Sequence, residues 1–350
     1  MNGSIWVLGA TGRSGRGIAR RLHGTGHTVV LAGRDAVRLA AVAEELGGAE
    51  VVSGSFESLM ERLRAAAPTV VVNTIGPFAR TSLPVIAECP KGTHYVDIGN
   101  EFDGVQAVLA GHERAVANGS TIITGAGFGV LATESVVLRV CEGLPPPAQL
   151  RVDAVPALAT EEGVVGSALA GSMLDGAPMG GRRVENGRLV RFPVAGARMR
   201  LTTPAGDTVT TAALPSGDLL AAWRASEADS VTAASSAIPS GPAVRAIFPL
   251  LSVLMRWPAL RRFAIARVAR IPMHARDRAA EFSWGHARAD WNDGTSAEAW
   301  LRLGDAQHFT ETATAEIARR LLRQQAPAGA YTPAAVFGAS LATDVGATFC

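Results

Sequence analysis

The 350 residues read as an α/β chain: an N-terminal doubly wound parallel sheet followed by a second, α+β domain. Three observations lead there. Short apolar strand patterns alternate with helical ones through residues 1–130. Those strands lack polar alternation, as strands buried on both faces do. Past Thr124 the alternation gives way to β-type segments punctuated by proline and glycine.

In order, strand patterns fall at 4–8, 28–32, 50–52, 69–73, 94–98 and 121–124. Helical patterns separate them at 15–23, 36–46, 58–67, 83–89 and 104–118. Six strands joined by helices make one dinucleotide-binding sheet. A helix at 132–142 ends at Gly143-Leu144-Pro145-Pro146-Pro147, a strong breaker. Strands are then expected at 150–155, 188–192, 198–203, 208–213 and 279–289, and helices at 161–174 and 315–324. The expected domains are 1–130 for the cofactor, 131–315 for substrate and dimerisation, and 316–350 as a helix and tail returning to the first domain.

Composition narrows the function. Apolar residues make up 48% and charged ones 18%, enough for a sizeable core. Net charge is +2, from 33 basic and 31 acidic residues, without the concentrated basic surface of a nucleic-acid binder. Lys91 is the sole lysine, so any lysine mechanism must use it, and it falls in a Pro90-Lys91-Gly92 turn away from the ligand edge. Cys89, Cys141 and Cys350 form no CxxC or Cys/His cluster; neither a metal site nor a disulfide framework is expected, and a reducing cytoplasm is the expected location. The N-terminus runs straight into a strand with no signal-peptide pattern, and the longest uncharged run, 115–133, is broken by glycines, so no membrane contact is expected.

The strongest motif is Gly9-Ala10-Thr11-Gly12-Arg13-Ser14-Gly15. It follows a strand and opens a helix, the context in which glycines admit a pyrophosphate to the backbone and to the helix N-terminus. This makes the first domain Rossmann-type. At the end of the second strand stands Ala32-Gly33-Arg34-Asp35. Arg34 falls where a ribose 2′-phosphate would sit, with Arg13 and Arg38 able to join it. Asp35 is either a ribose acid or the N-cap of the next helix; the cap reading is favoured, and with it NADPH.

Several stretches occur together: residues 7–17, Val72-Asn73-Thr74-Ile75-Gly76-Pro77-Phe78, Gly92-Thr93-His94-Tyr95-Val96-Asp97-Ile98-Gly99-Asn100-Glu101 and Ile123-Thr124-Gly125-Ala126-Gly127-Phe128-Gly129. This order resembles the saccharopine dehydrogenase-like oxidoreductases, in particular the branch that includes trans-acting enoyl reductases. The resemblance covers the first 130 residues and the tail Gly329-Ala330-Tyr331-Thr332-Pro333-Ala334, and does not extend over 150–315. It implies reduction of C=C bonds or of imines, and the family also holds members with no assigned reaction.

Within that frame, Thr74, Gly76, Pro77 and Phe78 are expected beside the cofactor, with Phe78 walling the ring. Reduction also needs a proton. Tyr95 and Asp97 share one strand face and are the candidate catalytic pair. Glu101, Tyr331 and water are alternatives. No Tyr-x-x-x-Lys follows Tyr95 or Tyr331, which excludes short-chain dehydrogenase chemistry, and no Gly-x-Ser-x-Gly elbow is present. Arg182, Arg183, Arg188, Arg191, Arg198 and Arg200 read as a solvated hairpin face rather than a phosphate site. The arginine- and apolar-rich stretch 243–271 reads as a dimer contact or lid. The expected reaction is therefore hydride transfer to the C=C of a small, largely apolar substrate, possibly linked to a carrier or CoA, with imine reduction and cofactor sensing as alternatives.

Overall fold

A computed structural model describes residues 3–24, 26–157, 163–164, 180–214, 216–237, 254–255, 257–273 and 281–350. The chain divides into two compact units. The first comprises Met1–Gly99, Asp103–Gly127 and Gln307–Phe337; the second comprises Asn100–Phe102, Phe128–Ala306 and Gly338–Cys350.

The first unit is built on a parallel sheet. Its strands are β1 (Ser4–Leu8), β2 (Thr28–Gly33), β3 (Glu50–Ser53), β4 (Val70–Asn73), β5 (His94–Asp97), β6 (Thr121–Ile123) and β17 (Gly329–Tyr331). They lie in the order β17-β6-β5-β4-β1-β2-β3. The chain reverses direction across the sheet between β1 and β4, which pair Val7 with Val72. That is the switch point of a doubly wound fold, where ligands bind at the carboxyl ends of the strands. The connections carry α1 (Arg13–Leu22), α2 (Ala36–Glu45), α3 (Phe56–Ala66), α4 (Phe78–Glu88), α5 (Phe102–Leu109) and α6 (His112–Ala117). Every residue of β4 and β5 is buried, the polar Asn73, His94 and Asp97 included.

Several elements differ from the sequence reading; the helix expected at 104–118, for one, is two, α5 and α6. The sheet has seven strands: the tail segment Gly329–Tyr331 adds in parallel beside β6, matching Ala330 to Ile122. Helix α4 begins at Phe78 and runs through Pro84, where the sequence pattern opened a helix only at 83. A proline removes one donor but its neighbours can continue the helix when packing holds it.

The second unit carries a nine-stranded sheet. Its path is β10 (Arg188–Phe192), β9 (Gly181–Glu185), β13 (Ser230–Ser235), β7 (Gln149–Val155), β15 (Ser283–Asp290), β16 (Ser296–Leu303) and β18 (Thr348–Phe349), with the hairpin β11 (Met199–Thr202) and β12 (Thr208–Ala213) joined at β13. Only β7 and β13 run parallel. Helices α7 (Phe128–Val140) and α8 (Gly217–Ser226) cover one face. Gly285 of β15 packs on the Ala132 backbone of α7, so the odd-numbered β15 residues face the helices. The opposite face holds Trp284 and Trp300 in an apolar cluster with Val155 and Leu201. Beside it lies a polar set: His286 bonds Asp153 at 2.9 Å and Glu298 at 3.0 Å, and Arg151 reaches Asp153 at 2.9 Å.

Arg182, Arg183, Arg188 and Arg191 lie in the hairpin β9–β10, with the Arg183 guanidinium over the Phe192 ring, whereas Arg200 lies in β11. Of 243–271, the described part forms α9 (Pro258–Val268). Of the expected helix at 161–174 only Gly163–Val164 lie within the described residues, and they form a strand, β8, paired antiparallel with β14 (Pro272–Met273). Glu161, Glu162 and His274 lie outside the described residues. The C-terminal region is shared: α10 (Ala306–Leu322), β17 and α11 (Pro333–Phe337) go with the first sheet, whereas α12 (Ser340–Asp344) and β18 belong to the second unit. Among the described residues no helix is long and apolar enough to cross a membrane, and no group of three metal-ligating side chains occurs.

Candidate cofactor and active site

The glycine loop leaves β1 at Gly9, whose φ of +80° only glycine adopts freely. The Gly9 carbonyl accepts from Gly12 N–H at 2.9 Å. A Cβ on Gly15 would stand 2.3 Å from that same oxygen, so this position admits no side chain. Helix α1 therefore starts flush against the strand end. Gly12 caps it with no side chain, and its first turn holds no acid. The result is a cluster of N–H groups at a positive helix end, unobstructed by carboxylates, as a pyrophosphate requires. Thr74 fixes the loop from the β4 side: its hydroxyl donates to Leu8 O at 2.7 Å.

Ser14, on the first turn of α1, accepts from Gln307 Nε2 at 3.0 Å. Gln307 also donates to Glu311 Oε1 at 2.9 Å, and Glu311 is ion-paired with Arg21. Helix α10 so holds the glycine loop and the helix behind it. Nothing in the local sequence links 307–311 to the loop; the sole hint is Gly17, where a Cβ would meet the Glu311 carboxyl at 2.0 Å.

At the end of β2, Asp35 is the N-cap of α2, accepting from Arg38 N–H at 3.0 Å. The Arg38 guanidinium donates to Thr11 O at 3.0 Å and ties α2 to the glycine loop. Arg13 and Arg34 are exposed.

The third part of the site is knit by Asp97. Fully buried at the end of β5, its carboxylate accepts from the hydroxyls of Ser82 (2.7 Å), Tyr95 (2.8 Å) and Thr124 (2.9 Å), and from the N–H groups of Gly99 (3.0 Å) and Gly125 (3.2 Å). These donors come from α4, from β5 and its loop, and from the loop after β6. Asn73 donates to the Tyr95 hydroxyl at 3.0 Å and accepts from Ile75 N–H at 3.0 Å, adding the loop after β4. Phe78 packs on Gly99, where a Cβ would approach its side chain to 3.0 Å.

Tyr95 and Asp97, the pair expected to deliver the proton, lie in the interior. Tyr95 is 0% exposed and lies in the apolar core with Val71, Val108 and Ile122. Burial, then the neighbouring Asp97 charge, push its pKa well above the ordinary tyrosine value. Both residues shape the strand ends, and the acceptor capacity of Asp97 is taken up by five protein donors. Tyr331, the alternative from the tail, donates to Ala328 O at 3.0 Å and meets His112 edge-on.

Comparison with known proteins agrees with this geometry. Residues 5–123 match the family model described as the saccharopine dehydrogenase NADP binding domain. The first domain is a saccharopine dehydrogenase-type NADP-binding domain. A trans-acting enoyl reductase of Mycobacterium tuberculosis is 35% identical over 133 residues, covering 35% of this chain and 32% of the relative. One from Mycobacterium leprae is 36% identical over 134 residues, with the same coverage. The matched region spans about a third of the length of these curated relatives. Among solved structures, apo saccharopine dehydrogenase (L-Glu forming) from Saccharomyces cerevisiae aligns over 98% of this chain and 96% of its own, with a TM-score of 0.62 and 12% identity. The fold beyond the NADP-binding domain is thus shared with that enzyme.

Proposed function

We propose that this protein is an NADPH-dependent reductase that transfers hydride to a conjugated C=C bond of an acyl-type substrate. The observation that carries the reading is the glycine loop of an NADP-binding domain that is about a third identical in sequence to trans-acting enoyl reductases. The residues fit the cofactor: Gly9, Gly12 and Gly15 leave room for a pyrophosphate, with Thr11, Arg13 and Ser14 around it. Arg34 would meet the 2′-phosphate, since Asp35 is engaged as a helix cap. Thr74, Gly76, Pro77 and Phe78 would border the nicotinamide.

When bound, NADPH supplies the hydride. The chain then has two tasks. It orients the acceptor at the carboxyl ends of β4, β5 and β6, whose loops Asp97 and Asn73 hold in place. It also supplies a proton to the carbon that becomes negative. Tyr95 and Asp97 act as positioning residues. The partner is a small-molecule substrate, and a homodimer through the second unit and a cytoplasmic site of action complete the reading.

The test is NADPH oxidation, followed by absorbance, against α,β-unsaturated acyl thioesters and a matched set of cyclic imines. Turnover of the thioesters with NADPH favoured over NADH supports the proposal. Turnover of imines alone would replace it. Tight NADPH binding with no turnover of either set would make the protein a sensor.

A further inference from the structure

One side chain of the first unit reaches the glycine loop from the far end of the chain. Gln307 stands in the first turn of α10 and belongs to the first unit, as do Ser14, Arg21 and Glu311. Its Nε2 donates to Ser14 Oγ at 3.0 Å and to Glu311 Oε1 at 2.9 Å.

These two bonds fix the direction of a third. A carboxylate offers acceptors only, and Glu311 is ion-paired with Arg21, so the amide nitrogen of Gln307 faces it and the amide oxygen does not. The same nitrogen meets Ser14, whose hydroxyl oxygen therefore accepts. A serine hydroxyl has a single proton to give. Accepting from Gln307, Ser14 keeps that proton for another partner, and its hydroxyl makes no second hydrogen bond among the described residues. Ser14 lies in the first turn of α1, where free N–H groups and the positive helix end favour an anion.

The far side of Gln307 is firmly held. Gly17 leaves the space that the Glu311 carboxyl fills; a Cβ there would stand 2.0 Å from its carboxyl carbon. Arg21, which pairs with that carboxylate, also donates to Gly17 O at 2.9 Å and to Thr312 Oγ1 at 3.1 Å, and meets His308 Nδ1 at 2.9 Å. Gln307 itself is uncharged. It carries the fixed geometry of this ion pair to the loop without placing a carboxylate beside a phosphate.

We propose that Gln307 is a positioning residue for the cofactor: held by Glu311, it sets the Ser14 hydroxyl as a donor to the pyrophosphate. This rests on the reading under Proposed function. The hydroxyl donates more strongly because its oxygen is itself accepting. The pyrophosphate is common to both nicotinamide dinucleotides, so Gln307 serves NADPH and NADH alike, unlike Arg34.

The experiment titrates NADPH, NADH and 2′-AMP, which lacks the pyrophosphate, into wild type, Gln307→Met, Ser14→Ala and the double variant, and follows thermal unfolding of each ligand-free protein. Gln307→Met should weaken NADPH and NADH equally, by about three- to tenfold, as the loss of one hydrogen bond does, and leave 2′-AMP affinity unchanged. In the Ser14→Ala background the same substitution should weaken neither cofactor further, because Gln307 acts through Ser14. A merely structural role would lower 2′-AMP affinity as well, or would add in full to the loss from Ser14→Ala. Either of those results, or unaltered cofactor affinity in Gln307→Met, would overturn the assignment alone. If Gln307→Met does not fold, Gln307→Asn, which keeps the amide but withdraws it by one methylene, takes its place with the same expectations. Binding without turnover of any substrate would remove the reductase reading and leave this assignment standing. Wild type that binds neither dinucleotide would sink both.

Discussion

The 2′-phosphate contact proposed for Arg34 can be isolated by Arg34→Ala. Asp35 accepts the Arg38 N–H at 3.0 Å as a cap, so its carboxylate is committed to α2 and Arg34 stands exposed beside it. A hydrogen bond to a charged group contributes about 1.5–3 kcal/mol. Exposure and counterions screen this one, placing it toward the lower end. The expected result is roughly a ten- to thirtyfold weaker NADPH affinity with NADH affinity unchanged. Arg38→Ala is the contrast. Its guanidinium holds Thr11 O at 3.0 Å, so its loss loosens the loop that both cofactors use and should weaken both. Isothermal or fluorescence titration at two salt concentrations measures these affinities, and the NADPH preference should shrink at higher salt. Equal wild-type affinity for NADH and NADPH, or an Arg34→Ala variant weakened equally toward both, would refute the assignment of Arg34 to the phosphate.

Three further outcomes are expected. Gly17→Ala forces a Cβ against the Glu311 carboxyl, which Arg21 and Gln307 hold in place, so it should cost about 1–3 kcal/mol in denaturant unfolding; Glu311→Ala should relieve much of that in a double-mutant cycle. Asp97→Ala leaves five buried donors without their acceptor and should cost at least about 3 kcal/mol, whereas Tyr95→Phe removes a single hydroxyl, should cost about 1 kcal/mol and should leave kcat within a few-fold; a hundredfold fall in Tyr95→Phe would restore that residue as the proton donor. In the second unit, burial works against ionised Asp153, yet bonds from His286, Arg151 and Thr211 hold its pKa below the ordinary value. An acid with a depressed folded pKa stabilises above its unfolded value, near 4, and loses that stability as pH falls through the folded value; Asp153→Asn should therefore be less stable than wild type at pH 7, by thermal unfolding, with the gap narrowing in acid.

The first unit was legible because its constraints are local. Strands β1 to β4 each hold a short apolar run and the connections between them carry helices, so the order of these elements reads directly from the chain. The glycine loop is legible for the same reason: Gly12 and Gly15 make their closest contacts with Gly9, three and six residues before them. The seventh strand was not. Gly329–Tyr331 is too short to show a period, and its place beside β6 depends on pairing with residues two hundred positions away. The surroundings of Tyr95 and Asp97 were out of reach for a similar reason. Alternation put both side chains on one face, and they do touch at 2.8 Å. Alternation carries no information on how many other donors reach that carboxylate, and here Ser82, Gly99, Thr124 and Gly125 all do.

The second unit resisted reading for a different reason. Half-buried antiparallel strands announce themselves by apolar residues on one face and polar residues on the other. In β7 and β15 the polar positions are themselves buried: Asp153 is 0% exposed and His286 1%. These residues satisfy one another, Asp153 lying directly opposite His286 in the register, so a pattern that looks solvent-facing marks an interior polar network. The burial of Asp218, in the first turn of α8, is illegible for the same reason. An acid in the first turn of a helix ordinarily complements the helix dipole in water. What separates Asp218 from that ordinary role is the glycine at 129 and the asparagine at 100, each far away in sequence, which together bury one of its oxygens without a partner. Buried polar groups of this kind are specified by contacts that only the folded chain assembles.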